Sequence, residues 1–324
     1  MSSNSRAQII TALACGNFIS GEELGAELGI SRAAVAKHIE ALSDMGLDIY
    51  RVTGKGYQLA NKLDLLSLNK ISQYLNSDIT APIEIHSVID STNSYLLRKL
   101  PYDLQPGQVC LAEHQSAGRG RRGRQWISPY GSNIYLSMYC FLEQGMSQAM
   151  GLSVVAALAV FDAIKALYQH DVELKWPNDI YLKGKKLAGI LIDLDGQPLE
   201  SCHCVIGIGL NLAMPDESAK LVDQPWSDLS QLTNGEINRN QLVAEVIKQL
   251  NIRLAEYKQT GLTNMLPCWH QHDIYFNQPI KIVAGTKEVF GVSRGIDNQG
   301  ALLMEVDGKV SPVYGGEVSL RGAT

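Results

Sequence analysis

The sequence predicts an α+β protein built as three units: a winged helix-turn-helix over residues 1–62, a mixed α/β unit over 63–270, and a small β-barrel over 271–324. Three observations carry this. The first sixty residues show helical apolar spacing with capping signals and then a hairpin. The middle repeats apolar strand-like runs with helices set apart from them, which favours an α+β layer over strict βαβ alternation. The last segment is all short strands and glycine turns.

In the first unit Ile9, Ile10 and Leu13 mark one helix face. Ser20 stands three residues before Glu23, a capping-box spacing, and opens a short helix carrying Leu24 and Leu28 that Gly29 ends. Ser31 caps a third helix with apolar positions Val35, Ile39, Leu42 and Met45. The stretch "DIYRVTGKGYQL" alternates up to Gly54-Lys55-Gly56 and returns, as a β-hairpin wing does. In such a unit the third helix enters the major groove, with Ser31, Arg32 and Lys37 on it and Lys55 at the wing tip as DNA-contacting residues. Residues 1–60 hold five Lys/Arg (6, 32, 37, 51, 55) against six Asp/Glu (22, 23, 27, 40, 44, 48). So balanced a unit gains little from counterion release, and useful DNA binding requires two copies on a two-fold site.

The middle unit contains the runs "IEIHSVI", "QVCLAEH", "NIYLSMYCF", "DIYLKG", "KLAGILIDLD" and "CHCVIGIGLNL", a buried helix at 147–170 and an amphipathic one near 239–257. Its most apolar stretch, Ala149–Phe161, is too short to span a bilayer. In the last unit the strands are "PIKIV", "KEVFGVSRGID", "ALLMEV" and "KVSPVY".

Composition narrows the function. The 324 residues are 45% hydrophobic with a net charge of −5, so any nucleic-acid affinity must be local. The N-terminus lacks a secretory-signal pattern, and the six cysteines are scattered, mostly in apolar runs, as in a reduced cytoplasm. Cys202-His203-Cys204 reads as structural, because no second half of a metal site stands nearby.

The chemistry concentrates in "HQSAGRGRRGRQW", which packs four arginines and three glycines into Gly118–Arg124. It lies between two strand runs and ends on Trp126, so it is a loop tied to a core rather than a basic tail. No Gly-Lys-Ser/Thr follows, which excludes a P-loop. Glycines let backbone N–H groups approach an anion, and arginine forks match carboxylate and phosphate. Other motifs add to it. "DSTNSYLL" puts Ser91, Thr92 and Asn93 at a helix start. "KWPND" (Lys175 to Asp179) is a loop with a cation and two polar side chains. "KKLAGIL" sets Lys185 and Lys186 before a buried strand, and "GIGLN" (Gly207 to Asn211) is a strand broken by glycines, a sign of close backbone approach to a ligand.

The ordered set STN, GRGRRGR followed by W, KWPND, KLAGIL and GIGLN resembles the biotin–protein ligases, over essentially the whole chain. With the winged helix in front, it resembles the bifunctional type that also represses the biotin operon. The resemblance implies a central ligase domain related to class II aminoacyl-tRNA synthetases and an SH3-like C-terminal barrel. It implies that biotin and ATP, with Mg²⁺, give biotinoyl-5′-AMP, and that biotin then passes to one lysine of a carboxylase's biotin carboxyl carrier domain. Ser91, Thr92, Asn93, Gln115, Gly118, Arg119, Gly120, Arg121, Lys186, Gly207 and Gly209 would bind biotin. Arg121, Arg124, Lys175, Asn178, Asn211 and Trp226 would hold ATP or the adenylate, with Trp226 a stacking wall. Lys186, Arg121 and Arg119 would be catalytic, and Asp179 would help place Mg²⁺. The partners implied are the carrier domain, operator DNA and a second copy of the chain when the adenylate is bound, with no membrane partner. Two rival readings are a lipoate or octanoate–protein ligase and a winged-helix regulator that senses a small acid without chemistry. Pyrophosphate release and competition between acids separate them.

Overall fold

The winged unit follows its sequence signals. In the computed structural model, which describes residues 2–75, 77, 79–143, 145–197, 200–233, 237–284, 287–315 and 318–322, helix α1 (Ser2–Leu13) buries Ile9, Ile10 and Leu13. Ser20 Oγ accepts from the Glu23 amide at 3.0 Å to start α2 (Gly21–Leu28), and Gly29 stops it at φ +65°. Ser31 Oγ accepts from the Ala34 amide at 3.2 Å to start α3 (Arg32–Asp44), which buries Val35, Ile39 and Leu42. Strands β1 (Ile49–Val52) and β2 (Gly56–Leu59) pair antiparallel as the wing.

Next along the chain come α4 (Leu68–Tyr74), β3 (Ile83–Ile89), α5 (Thr92–Arg98), β4 (Val109–Gln115), β5 (Asn133–Leu142), α6 (Leu152–Tyr168), β6 (Glu173–Lys175), β7 (Asp179–Leu182), β8 (Lys185–Asp195), β9 (Cys202–Asn211), α7 (Asp216–Ala219), α8 (Arg239–Thr260) and α9 (Leu266–His272). Their seven strands form one sheet in the order β3-β4-β5-β9-β8-β7-β6, with β3 and β4 parallel and the other neighbours antiparallel. One face packs on α6 and α8; against the other, α5 covers Cys110, Tyr139 and Val205.

Strand parity builds the rest. On β9, Cys202, Cys204, Ile206, Ile208 and Leu210 enter the α6 core, which leaves His203, Val205, Gly207 and Gly209 for the opposite face. Register sets Gly207 between Ser137 and Leu191, and Gly209 between Tyr135 and Gly189. Cys202 and Cys204 thus leave His203 on the other side, where its Nδ1 lies 2.8 Å from the Tyr139 hydroxyl.

The third unit is a five-stranded antiparallel sheet of β10 (Pro279–Ala284), β11 (Lys287–Ile296), β12 (Leu302–Val306), β13 (Lys309–Val313) and β14 (Val318–Gly322), ordered β13-β12-β11-β10-β14. Two strands were not marked by the sequence pattern. The three-residue β6 hides in what reads as a helix-to-strand passage, and β14 is short and polar.

Two junctions hold the units. Trp176 Nε1 donates to the Gly300 carbonyl at 2.9 Å. At the front, Tyr130 is only 2% exposed, lies within the winged-helix core, and its amide donates to the Met45 carbonyl at 3.1 Å. Behind it, Glu113 and Arg239 form an ion pair at 2.8 Å with both side chains 5% exposed. Glu113 Oε1 accepts from the Leu66 amide and Arg239 donates to the Asp64 carbonyl, so the connecting segment is strapped down by charge-assisted bonds. Losing either partner would leave the other charged and buried, which costs about 3–5 kcal/mol.

Candidate functional site

The N-terminus of α5, the arginine loop and the polar face of β8 and β9 enclose a cavity of about 630 Å³. That size is ordinary for a small-molecule site. Its floor is a connected polar set. Ser91 caps α5, and Gln115 Oε1 accepts from the Thr92 amide at 3.0 Å and from its hydroxyl at 3.2 Å. Ser137 Oγ lies 2.7 Å from Thr92 Oγ1 and 2.5 Å from Asn93 Oδ1. Asn93 Nδ2 donates to Asp193 Oδ2 at 2.8 Å. Thr92, Asn93 and Ser137 are buried, so the floor is fixed before any ligand arrives.

Glycines make the floor possible. A Cβ on Gly207 would sit 2.2 Å from Asn93 Oδ1, and one on Gly209 would sit 2.4 Å from the Trp126 ring. These two residues have no side chain because others occupy that space.

The wall is cationic. The arginine loop folds back on itself: the Gly120 amide donates to the Arg124 carbonyl at 2.7 Å and the Trp126 amide to the Gly118 carbonyl at 2.9 Å. At its tip Arg122 takes φ +59° and Gly123 φ +72°. Arg119 Nη2 donates to Asp193 Oδ2 at 2.6 Å, and Arg121 Nη1 donates to Asn178 Oδ1 at 2.9 Å. Burial lowers the guanidinium pKa of Arg121, and the charge of Asp179 opposes that shift. Lys186 Nζ lies 2.7 Å from Asp179 Oδ1 and 5.7 Å from the centre of the Trp126 ring. Lys175 Nζ donates to the Tyr181 hydroxyl at 2.9 Å.

Beyond Arg124, Trp126 and Lys186 lies a second cavity of about 220 Å³, and those three side chains line both. Asn211 and Trp226 belong to this second cavity. Asn211 Nδ2 donates to the Ser227 carbonyl at 3.1 Å.

Of the residues expected from sequence, Ser91, Thr92, Asn93, Gln115, Arg119, Gly120, Arg121, Arg124, Lys175, Asn178, Asp179, Lys186, Gly207 and Gly209 line the larger cavity together. Gly118 does not. It packs beneath, where a Cβ would meet the Trp126 carbonyl at 2.5 Å and Ser128 Oγ at 2.8 Å. Asn178 has its amide turned to the Ile190 carbonyl at 2.6 Å and to Arg121, so it anchors an arginine. Asp179 faces the Lys186 ammonium, and among the described residues no group of three or more His, Cys, Asp or Glu side chains is arranged to hold a metal.

Sequence reasoning took Trp126 only as a tether and missed Ser137, Leu191 and Asp193. The alternation in "KLAGILIDLD" held the signal, since residues 189, 191 and 193 share one face. The residues expected to contact DNA lie elsewhere: Arg32, Lys37 and Lys55 are exposed, and Ser31 is engaged as the cap of α3. Arg32 meets Glu22 only at 3.9 Å between exposed side chains, which leaves its charge available to solvent.

Residues 85–211 match the biotin/lipoate A/B protein ligase family, residues 6–58 an HTH domain, and residues 275–321 the biotin protein ligase C-terminal domain. The bifunctional ligase/repressor BirA of Salmonella typhimurium is 46% identical over 97% of each chain. This chain belongs to the bifunctional biotin ligase/repressor family. The BirA of Bacillus subtilis is 30% identical over 94% of each chain. The biotin protein ligase of Aquifex aeolicus, solved in complex with biotin and ATP, shares the fold with a TM-score of 0.64 at 24% identity, covering 75% of this chain and 99% of its own. As a member of the biotin ligase/repressor family, the chain carries its ligase unit between a winged helix and the C-terminal sheet. No helix among the described residues is long and apolar enough to cross a membrane.

Proposed function

We propose that the larger cavity joins biotin to ATP and that the product passes to a lysine of a biotin carboxyl carrier domain. The observation that carries this is a pre-formed floor of hydroxyl and amide groups directly beneath a wall of arginines and lysines. The floor suits a ureido ring, which offers two N–H donors and one carbonyl acceptor to Ser91, Thr92, Asn93 and Gln115. The wall suits the bond-forming step, because a carboxylate and an α-phosphate repel each other as they meet. Arg119, Arg121 and Lys186 neutralise both and hold them in line. Arg124 and Lys175 take the triphosphate, and the adenine occupies the second cavity against Trp226 and Asn211.

In the first step a carboxylate oxygen attacks the α-phosphorus and pyrophosphate leaves. In the second the carrier lysine's amine attacks the acyl carbon and AMP leaves, so no side chain of this protein serves as a nucleophile. Mg²⁺ enters with ATP as part of that substrate. With Asp179 paired to Lys186, phosphate oxygens and water would supply most of its ligands.

For repression we propose that adenylate orders the arginine loop into a surface that pairs two copies, and that the pair presents two α3 helices to operator DNA in the cytoplasm. The working units are residues 1–62, 63–270 and 271–324. Solution mass is expected to double on adding biotin and ATP; a monomer under both conditions, at any reachable concentration, counts against the coupling.

The central test is an incubation with biotin, ATP, Mg²⁺ and a carrier domain. Mass spectrometry should find one biotin on the carrier lysine, and an unmodified carrier would refute the ligase assignment. In Arg121→Gly the loop loses the side chain that reaches Asn178, and the adenylate is expected to escape onto unrelated amines. Labelling of bystander protein lysines reads this, and retention equal to the parent would assign the grip to a different arginine.

A further inference from the structure

We infer that Asp193 is a positioning residue that locks Arg119 of the arginine loop to the floor of the cavity. This rests on the reading of that cavity as the site of biotin activation. Asp193 sits on β8 with its side chain 20% exposed, and a single oxygen, Oδ2, accepts from both Asn93 Nδ2 at 2.8 Å and Arg119 Nη2 at 2.6 Å.

The two partners differ in freedom. Asn93 is 3% exposed, meets Ser137 with its other end, and lies so close to Gly207 that no Cβ fits between them. It cannot give way, so it fixes the carboxylate. Arg119 stands on a loop where four guanidiniums crowd within six residues, and its side chain is 40% exposed. Repulsion from Arg121, Arg122 and Arg124 drives it outward, and the Asp193 carboxylate opposes this. The attachment is shared and one-oxygened, hence weaker than a two-pronged arginine–carboxylate pair. An entering carboxylate or phosphate can therefore take the guanidinium over from a known starting point. Asp193 acts through Arg119 and never touches the reacting atoms.

The experiment is a double-mutant cycle with initial-rate kinetics of biotin-dependent pyrophosphate exchange. Asp193→Ala is expected to raise KM for biotin about tenfold with kcat changed less than about twofold, and Asp193→Glu to recover most of it. In the Arg119→Ala background the same change should cost only the small part that comes from Asn93 losing one of its two acceptors, well short of tenfold. Penalties that multiply in the double variant, or an Asp193→Ala enzyme with parental KM, overturn the assignment. If the alanine variant fails to fold, the near-isosteric Asp193→Asn enters the same cycle. A parent enzyme without any exchange would instead overturn the reading of the cavity itself, so the two failures are distinct.

Discussion

Lys186→Gln is expected to slow biotin-dependent pyrophosphate exchange by about 10²- to 10³-fold, the usual loss when one well-placed donor to a charged transition state is removed. The ammonium is 15% exposed on its side chain, held 2.7 Å from Asp179 Oδ1, above the Trp126 ring and beside Gly189, between the two cavities. In the proposed reaction it stands where the carboxylate and the α-phosphate meet, and its own charge is kept in place by Asp179. Glutamine keeps much of the length and loses the charge. Arginine is expected to restore little, since a planar fork does not fit the slot of a compact ammonium. Exchange within about threefold of the parent would remove Lys186 from the reaction. Some stability should also go, because Asp179 loses its partner.

Gly207→Ala is expected to weaken biotin binding by about 10- to 100-fold, the equivalent of an overpacking cost of about 1–3 kcal/mol falling on the floor. The added carbon would lie 2.2 Å from Asn93 Oδ1 and 2.8 Å from its Nδ2. A flexible side chain would swing aside, but Asn93 is held by Ser137 at one end and by Asp193 and the Leu191 carbonyl at the other. Calorimetric titration with biotin reads the loss, and thermal unfolding should show a lowered midpoint. In Asn93→Ala the same methyl group has room, so the stability cost of the second substitution should nearly vanish. Binding equal to the parent would show that the floor yields to the added methyl group and is not rigid.

Much of this architecture was legible because it is local. Ser20, Gly29 and Ser31 punctuate the winged unit by capping chemistry that needs no neighbours. "GIGLN" could be read because alternate residues of a strand face opposite ways, so glycines at 207 and 209 announce a bare face above a filled one. The arginine loop was legible as an anion grip because like charges held close demand a counter-charge. What stayed hidden is long-range. Asp193 meets Arg119 across 74 residues, and Arg239 reaches the Asn133 carbonyl across 106, through a sheet whose strand order no periodicity encodes. Asn178 reads as a ligand-facing amide until Ile190 and Arg121 are seen to claim it. The division into two cavities is a product of where Trp126 lies on Gly209, which its position in the sequence does not announce.

Tyr130 stands four residues past Trp126, yet its ring completes the winged-helix core, while its hydroxyl lies 2.9 Å from Ser87 Oγ on β3. Next to it the turn at Gly46 presses on Pro129 and Ser218, with no room for a Cβ. The front unit is therefore a wall of the enzyme as well as its reader. A chain cut ahead of Leu63 would bare the Tyr130 ring, which the winged-helix core now covers. Without the front unit, Tyr130 would join Leu65 and Val88, which pack against the same core, in an apolar patch open to water.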